Sequence, residues 1–345
     1  VEDWKIRNES EASPARSCVP DFLIGPVKPG PKRDKSVFAY SVRYRLTRGP
    51  HYPLKARFIF NPHSGSNRRN PWLCDRAAAF IRERGLDATV VDTARSGHAT
   101  ELAAQAVADG CGLVVAIGGD GTMNEVASAL VDTPAVFGLI PCGSGNGLGR
   151  HLGIRRPDAG AFRTLLEGRP LAMDTGLVNG FPFFNAMGLG LEADIAVRFS
   201  RQTRRGLAGY LRVGVPAYFA HRPEALTVRH DGGSTRLEAF TLAIMNSDQY
   251  GNDARAAPGA RVDDGRFDLI SVPAVGWWGA GHLLYRLGTD TFDRVRAVTR
   301  LGGAEFTIER SAPGWIHTDG EPRATTAKLE ITIKPRSLRI MVPVG

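Results

Sequence analysis

Seven lysines occur in 345 residues, and none falls between positions 56 and 327. A Walker A loop needs a lysine after its glycines to reach the phosphates, so a P-loop NTPase is excluded. Phosphate neutralisation in the body of the chain must then come from arginine, backbone N–H groups or a metal. Cysteine is sparse as well. Cys18, Cys74, Cys111 and Cys142 lie far apart, with no CxxC and no Cys/His cluster. That argues against a zinc site and a disulfide framework, and suits a reducing compartment. No apolar run of roughly 18 residues exists, so no transmembrane helix is expected. The opening residues VEDWKIRNES are charged from the start and show no signal-peptide pattern.

Present instead is the composition of an ordinary globular protein, 43% hydrophobic and 23% charged. Net charge is +9, and it is uneven: residues 1–55 hold eleven Lys/Arg against six Asp/Glu. Such a balance points to an anionic partner, whether nucleotide, acidic lipid surface or nucleic acid. The first 35 residues, rich in proline and charge, read as an irregular arm. Ser36–Leu46 mixes aromatic and β-branched residues and predicts a strand.

From Ala56 the pattern becomes α/β. Short apolar runs (ARFIF, ATVVD, GLVVAIG, AVFGLIP) alternate with helix-spaced segments of 10–15 residues, which predicts a parallel sheet covered on both faces. Ligands of such sheets bind at the carboxyl ends of the strands. After about Leu171 come short strand-like pieces, KLEITIKP and SLRIMVP among them, separated by Gly, Pro, Asn and Asp, as in an antiparallel sandwich or barrel. Helical insertions are expected around Ile195–Ala220 and Trp277–Thr299. The predicted organisation is an extension (1–54), an α/β nucleotide-binding domain (55–172) and a β-sandwich domain (173–345).

Gly118-Gly119-Asp120-Gly121-Thr122 is the strongest chemical signal. A buried strand runs through it directly into a helix, so backbone N–H groups are offered to an anion. An acid beside phosphates holds Mg²⁺ or takes a proton; a plain capping aspartate is the bland alternative. Asn61-Pro62-His63-Ser64-Gly65, Thr93 and Gly143-Ser144-Gly145-Asn146-Gly147 end the neighbouring strands. Each alone is ordinary turn chemistry. Together the four loops share one sheet edge, as a nucleotide site requires.

NPHSG, then Thr93 ahead of GHA, then GGDGTMNE, then IPCGSGN, resembles the ordered motif set of the diacylglycerol, sphingosine and ceramide lipid kinase family. FFNAMGLGLEA, RRGLAGYL, DDGRFDLI and TDGEP match at similar positions, so the likeness runs from about Ala56 to Val344. It implies an NAD kinase/phosphofructokinase-like α/β domain followed by a sandwich, and ATP-dependent phosphorylation of a lipid hydroxyl. By the same resemblance, Asn61, Pro62, His63, Ser64, Gly65, Thr93, Gly119, Asp120, Gly121, Thr122, Met123, Asn124, Glu125 and Ser144 contact ATP. Mg²⁺ is implied on the Asp264 carboxylate and the carbonyls of Arg261 and Arg266. Glu321 is implied as general base in bacterial members and Asp120 in sphingosine kinase-like ones; the bacterial metal-loop motif puts Glu321 first. One departure stands out. Gly147 occupies a position where many bacterial members carry an aspartate of the metal network, and GSGN is closer to the sphingosine and ceramide branch. The acceptor therefore stays open, and the conventional Mg²⁺ arrangement is in question.

Arg198, Arg201, Arg204, Arg205 and Arg212 occupy a stretch without acids, either a solvated helix face or a contact for phosphate or anionic headgroups. Trp277-Trp278 is expected in the core, with an interfacial patch as the alternative. His63, His98, His151 and His317 lie near the loops without triad or metal spacing. A Rossmann reading of Gly188–Ala193 lacks the ribose-binding acid it needs. Asn124-Glu125 follows Thr122 after one intervening residue, which favours the lipid kinases over an NAD kinase-like soluble kinase, the nearest alternative. A non-catalytic lipid or nucleotide sensor is the other alternative. No basic–aromatic pattern supports nucleic-acid binding. The expected partners are a lipid substrate and an anionic membrane surface, at a cytoplasmic, peripheral location; homodimerisation is left open.

Overall fold

The computed structural model describes residues 55–64, 67, 71–202 and 207–344. The predicted strand at 36–46, the arm before it, Gly65, Arg204 and Arg205 lie outside the described residues. The first half alternates as expected: β1 (Ala56–Phe60), α1 (Trp72–Arg84), β2 (Ala88–Asp92), α2 (His98–Ala108), β3 (Leu113–Gly118), α3 (Asp120–Leu130) and β4 (Val136–Pro141). The strands pair in parallel in the order β2-β1-β3-β4. β3 and β4 are buried at every position, as strands covered on both faces must be. In α3, Met123, Val126, Ala127 and Leu130 recur at helical spacing and all point into the core. α1 stops at Gly85, whose φ of 59° lets its N–H reach back to the Arg82 carbonyl.

α4 (Gly147–His151) and α5 (Ala159–Glu167) lead into the second half, Asp158 capping α5 through the N–H groups of Gly160 and Ala161. There follow β5 (Arg169–Val178), β6 (Phe181–Phe183), β7 (Ala186–Gly190), α6 (Leu191–Ser200) and α7 (Leu207–Ala220). Next are β8 (Glu224–His230), β9 (Gly233–Ala239), β10 (Thr241–Met245), β11 (Gln249–Gly251), β12 (Ala254–Arg255), β13 (Phe267–Val272) and α8 (Trp277–Gly288). The chain ends with β14 (Thr299–Gly303), β15 (Glu305–Glu309), β16 (Gly314–Thr318), β17 (Glu321–Thr325) and β18 (Lys328–Val342). One sandwich layer is the six-stranded sheet β14-β13-β10-β7-β16-β17. The other continues the first-half sheet, since β18 pairs with β4 at one end and with β15 at the other.

Two sequence expectations change in detail. KLEITIKP and SLRIMVP form one 15-residue strand, bent at Arg336 (φ 52°) where its register with β5 shifts. The 172/173 boundary falls inside β5, and Leu338 and Ile340 at the end of β18 pack in the first core. The first unit is thus completed by the last strand. Phe183, Met187, Ile244 and Ile316 sit between the sandwich layers, fully buried; each such side chain contributes roughly 1.5–3 kcal/mol.

Candidate active site

The ends of four parallel strands bring the glycine-rich loops together. β1 lies between β2 and β3, so strand order reverses there while the strands stay parallel, and such a switch point is where a crevice forms at the carboxyl ends. Asn61, just past β1, spans the crevice: its Nδ2 donates to Thr122 Oγ1 at 2.8 Å, and its Oδ1 accepts from the His63 N–H at 2.9 Å. Asn67 closes the same loop by donating to the Asn61 and Ile117 carbonyls. Thr93 is buried at the end of β2, its N–H on the Phe60 carbonyl. Ser144 is exposed beyond β4; in the loop after β1 His63 is exposed and Pro62 and Ser64 are half-buried.

α3 starts at Asp120 with Gly119 in extended conformation and no side-chain cap. Its first-turn N–H groups are therefore available to an anion. Asp120 Oδ2 accepts the Asn146 N–H at 3.1 Å, and Asn146 braces its own loop through both Gly143 backbone groups at 2.8 Å. Glu125 has a different task. Its carboxylate takes the N–H groups of Gly97 (2.9 Å) and Ala99 (3.1 Å), capping α2. Met123 is buried and packs inward.

The second half supplies the acids opposite α3. Asp319, in the β16–β17 turn with φ 49°, accepts four N–H donors: Asn124 Nδ2 (2.8 Å), Phe184 (2.9 Å), Asn185 (2.8 Å) and Ala186 (3.0 Å). It clips the turn simultaneously to α3 and to the start of β7. Two residues on, Glu321 Oε1 lies 3.0 Å from where a Cβ on Gly121 would stand. Any side chain at 121 would displace that carboxylate, so glycine here is a matter of room. Burial pushes Asp120 upward from the usual aspartate range, opposed by the Asn146 N–H and reinforced by the charge of Asp319. Burial pushes Asp319 upward too, with its N–H donors pulling the other way.

Three acids from two halves of the chain thus face one unfilled helix start at the edge of a parallel sheet. A profile described as "Diacylglycerol kinase catalytic domain" matches residues 55–178, and one described as "YegS C-terminal NAD kinase beta sandwich-like domain" matches 185–342. A diacylglycerol kinase of Bacillus subtilis is 31% identical over 221 residues, 63% of this chain and 73% of that one. The chain belongs to the diacylglycerol kinase catalytic-domain family. A Pseudomonas fluorescens protein named "Probable lipid kinase YegS-like" is 32% identical over 277 residues, covering 78% of this chain and 90% of its own length. The crystal structure of a diacylglycerol kinase from Bacillus anthracis shares the fold at TM-score 0.63 and 19% identity, over 84% of this chain and 96% of that one.

The loop expected to hold Mg²⁺ lies apart from the acids. Asp268 pairs with Met245, Met245 with Ala186, and the Ala186 carbonyl takes the Asp319 N–H. Three strand spacings therefore put Asp268, at the start of β13 just past that loop, about 14 Å from Asp319. Buried Asp174 holds that loop, accepting from Gly265 N–H at 2.7 Å and from Arg336 N–H, at the bend of β18, at 2.8 Å. The Arg261 guanidinium folds onto Asp263 at 3.0 Å, while exposed Asp264 takes only the Arg266 N–H at 3.1 Å. A carboxylate with spare lone pairs beside two backbone carbonyls fits a hard cation such as Mg²⁺. Among the described residues no group of three or more His, Cys, Asp or Glu could hold a metal, so carbonyl oxygens would have to complete the set.

The sequence departure at Gly147 has a steric counterpart. A Cβ there would stand 2.6 Å from Asn185 Nδ2 and 3.1 Å from the Gln249 carbonyl. Asn185 fills the space, donating to Gln249 O at 2.9 Å and accepting from Ser247 Oγ at 2.5 Å. Asn146, Asp174, Asn185 and the anchoring role of Asp319 were not singled out from sequence. Asn146, Asn185 and Asp319 stand inside the quoted GSGNG, FFNAMGLGLEA and TDGEP motifs without a role read there; Asp174 stands in none, and its partners Gly265 and Arg336 are distant in the chain. His317 is buried, with Nε2 3.3 Å from Glu192 Oε2 and from the Tyr250 hydroxyl, which itself bonds Glu192. His151 pairs with Asp248, and His98 Nδ1 accepts the Ala94 N–H.

Proposed function

We propose that the protein transfers the γ-phosphoryl group of ATP to a hydroxyl of a membrane lipid, with diacylglycerol the first candidate and sphingoid or ceramide-like alcohols next. Support comes from the placement of Glu321 over the first turn of α3, where backbone N–H groups would receive phosphate. A lipid hydroxyl entering between Glu321 and that turn would lose its proton to the Glu321 carboxylate as its oxygen attacks the γ-phosphorus in line, while the bond from that phosphorus to the β–γ bridging oxygen breaks and ADP leaves. Asp120, on the other side of the turn, is the alternative base for that proton, and Asn61, Thr122 and Ser144 would orient the donor. Asp319 positions Glu321 without touching the reacting atoms. Asp264 with the Arg261 and Arg266 carbonyls would hold Mg²⁺, whose double charge would brace the loop Asp174 anchors rather than meet the phosphoryl group.

Relatives named diacylglycerol kinase and lipid kinase favour this over an NAD kinase-like activity. The test is label transfer from γ-labelled ATP, with Mg²⁺, to detergent-dispersed diacylglycerol, sphingosine, ceramide and phosphatidylglycerol, with NAD as soluble control. Label in one lipid names the acceptor. Label in NAD alone, or ATP binding without transfer to any acceptor, overturns the proposal.

A further inference from the structure

The expectation that Trp277 and Trp278 belong to the core fails. They are 63% and 87% exposed, and no residue of α8 is fully buried. At about 100° per residue, Trp277, Trp278, Leu284 and Tyr285 fall within an arc of roughly 120°, with Gly281 at its centre. The opposite side of α8, through Leu283 and Leu287, packs on the outer surface of the six-stranded sheet. α7 extends the exposed face. Phe219 stacks on Trp277 with ring centroids 6.2 Å apart, Val215 is exposed one turn earlier, and the Tyr218 hydroxyl donates to the Val275 carbonyl at 2.5 Å. The two helices therefore present one continuous aromatic and aliphatic patch.

The segments that form it carry one sign of charge, with Asp194, paired to His221 at 2.7 Å, at their edge. Residues 195–223 and 269–289 contain seven arginines and neither Asp nor Glu. Arg198, Arg201, Arg212 and Arg222 are described and exposed. We propose that this α7–α8 face is the membrane-docking surface of the protein, seated in the interface of an anionic bilayer. Tryptophan and tyrosine favour the boundary between apolar and wet regions, and arginines beside it meet lipid phosphates. A second copy of the chain is the poorer occupant, because a two-fold contact would set these acid-free arginine segments against themselves. The proposal rests on the lipid-kinase reading and gives it a direction of approach. α6 pairs with α7 and lies across β16 and β17, the strands whose turn carries Asp319 and Glu321. A protein seated by this face would hold its catalytic turn one helix layer from the lipid that supplies its acceptor.

The test is sedimentation of the full chain with vesicles of phosphatidylcholine, alone or mixed with phosphatidylglycerol, in the absence of ATP and of any acceptor. Binding to the mixed vesicles should exceed binding to the neutral ones and weaken as salt shortens the Debye length from about 10 Å to about 3 Å. Trp278→Ser, at a side chain that packs on little, should keep the parent melting temperature and lose about tenfold in vesicle binding; Trp277→Ser/Trp278→Ser should lose more. Equal vesicle binding by parent and double variant overturns the proposal, as does a parent that ignores anionic vesicles. So does a parent that is dimeric by light scattering while the double variant is monomeric. No step of this experiment needs phosphoryl transfer, so failure of the lipid-kinase reading appears separately, in the label assay with dispersed lipids.

Discussion

Asp120→Asn should abolish transfer and yet stabilise the fold. The parent carboxylate is half-buried at the start of α3, takes one backbone N–H from Asn146 and faces the second acid Asp319. Burial, the largest cause, holds its proton affinity above the ordinary aspartate value of 3.8. A native state that binds the proton more tightly than the unfolded chain loses stability as pH rises. This contribution is fully present below the unfolded value and is lost as pH rises through the folded one. At neutral pH the ionised group therefore costs stability. Asparagine keeps a carbonyl oxygen for the Asn146 N–H and removes the charge. Relief of this kind is worth about 0.5–2 kcal/mol. At roughly 2.1 cal/mol/K of unfolding entropy per residue, a chain of 345 residues shifts by about 1.4 °C per kcal/mol, so the melting temperature should rise by roughly 1–3 °C. Calorimetry of both proteins from about pH 4 to about pH 8 would show the gap opening with pH. A variant that melts below the parent at neutral pH, or whose gain is the same at both ends, would refute the reasoning.

Glu321→Gln should lower transfer by about 10²–10⁴-fold while ATP affinity, read by calorimetry, changes little; equal losses would make Glu321 a ligand rather than a base. Asp319→Ala leaves the Asn124 amide and three backbone N–H groups without their acceptor. It should cost about 2–4 kcal/mol, read as a lower denaturant midpoint, and reduce turnover because Glu321 loses its support. Gly147→Asp should destabilise by about 1–3 kcal/mol through its clash with Asn185, and adding Asn185→Ala should recover part of the loss. Additive effects in that double-variant cycle would remove the steric account of Gly147.

The first half was legible in the sequence because its strands are buried on both faces and its helices are periodic; GLVVAIG feeding GGDG could hardly be read otherwise. Period-two signals of the second half were weaker, and two causes blurred them. β16 and β17 are short strands flanking a turn, so GWIHTDGEP reads as a motif and not as a hairpin. β18 is a single strand whose Arg336 bend, held by buried Asp174, looks in sequence like a break between two strands. The patch on α8 was misread for a related reason. Tryptophan pairs do prefer cores, and only the placement of Leu283 and Leu287 decides which side of the helix faces inward.

Glu321 could be named from its motif, but its reason for standing over Gly121 could not. Asn124 and Asp319, 195 positions apart, make the bond that sets the β16–β17 turn on α3. That bond joins the two halves at the point where phosphate and acceptor would meet. Meanwhile β18 joins them again through β4, so the halves are tied at the sheet as well as at the site. Two separate ties leave little freedom for Glu321 to swing away from the helix start, and preorganised placement of a base is what an in-line transfer demands. Loosening the first tie alone, as in Asn124→Ala, should therefore lower turnover more than it lowers stability, since β18 still holds the halves together. The reverse order of effects would show that Asn124–Asp319 serves the fold and that Glu321 is placed by something else.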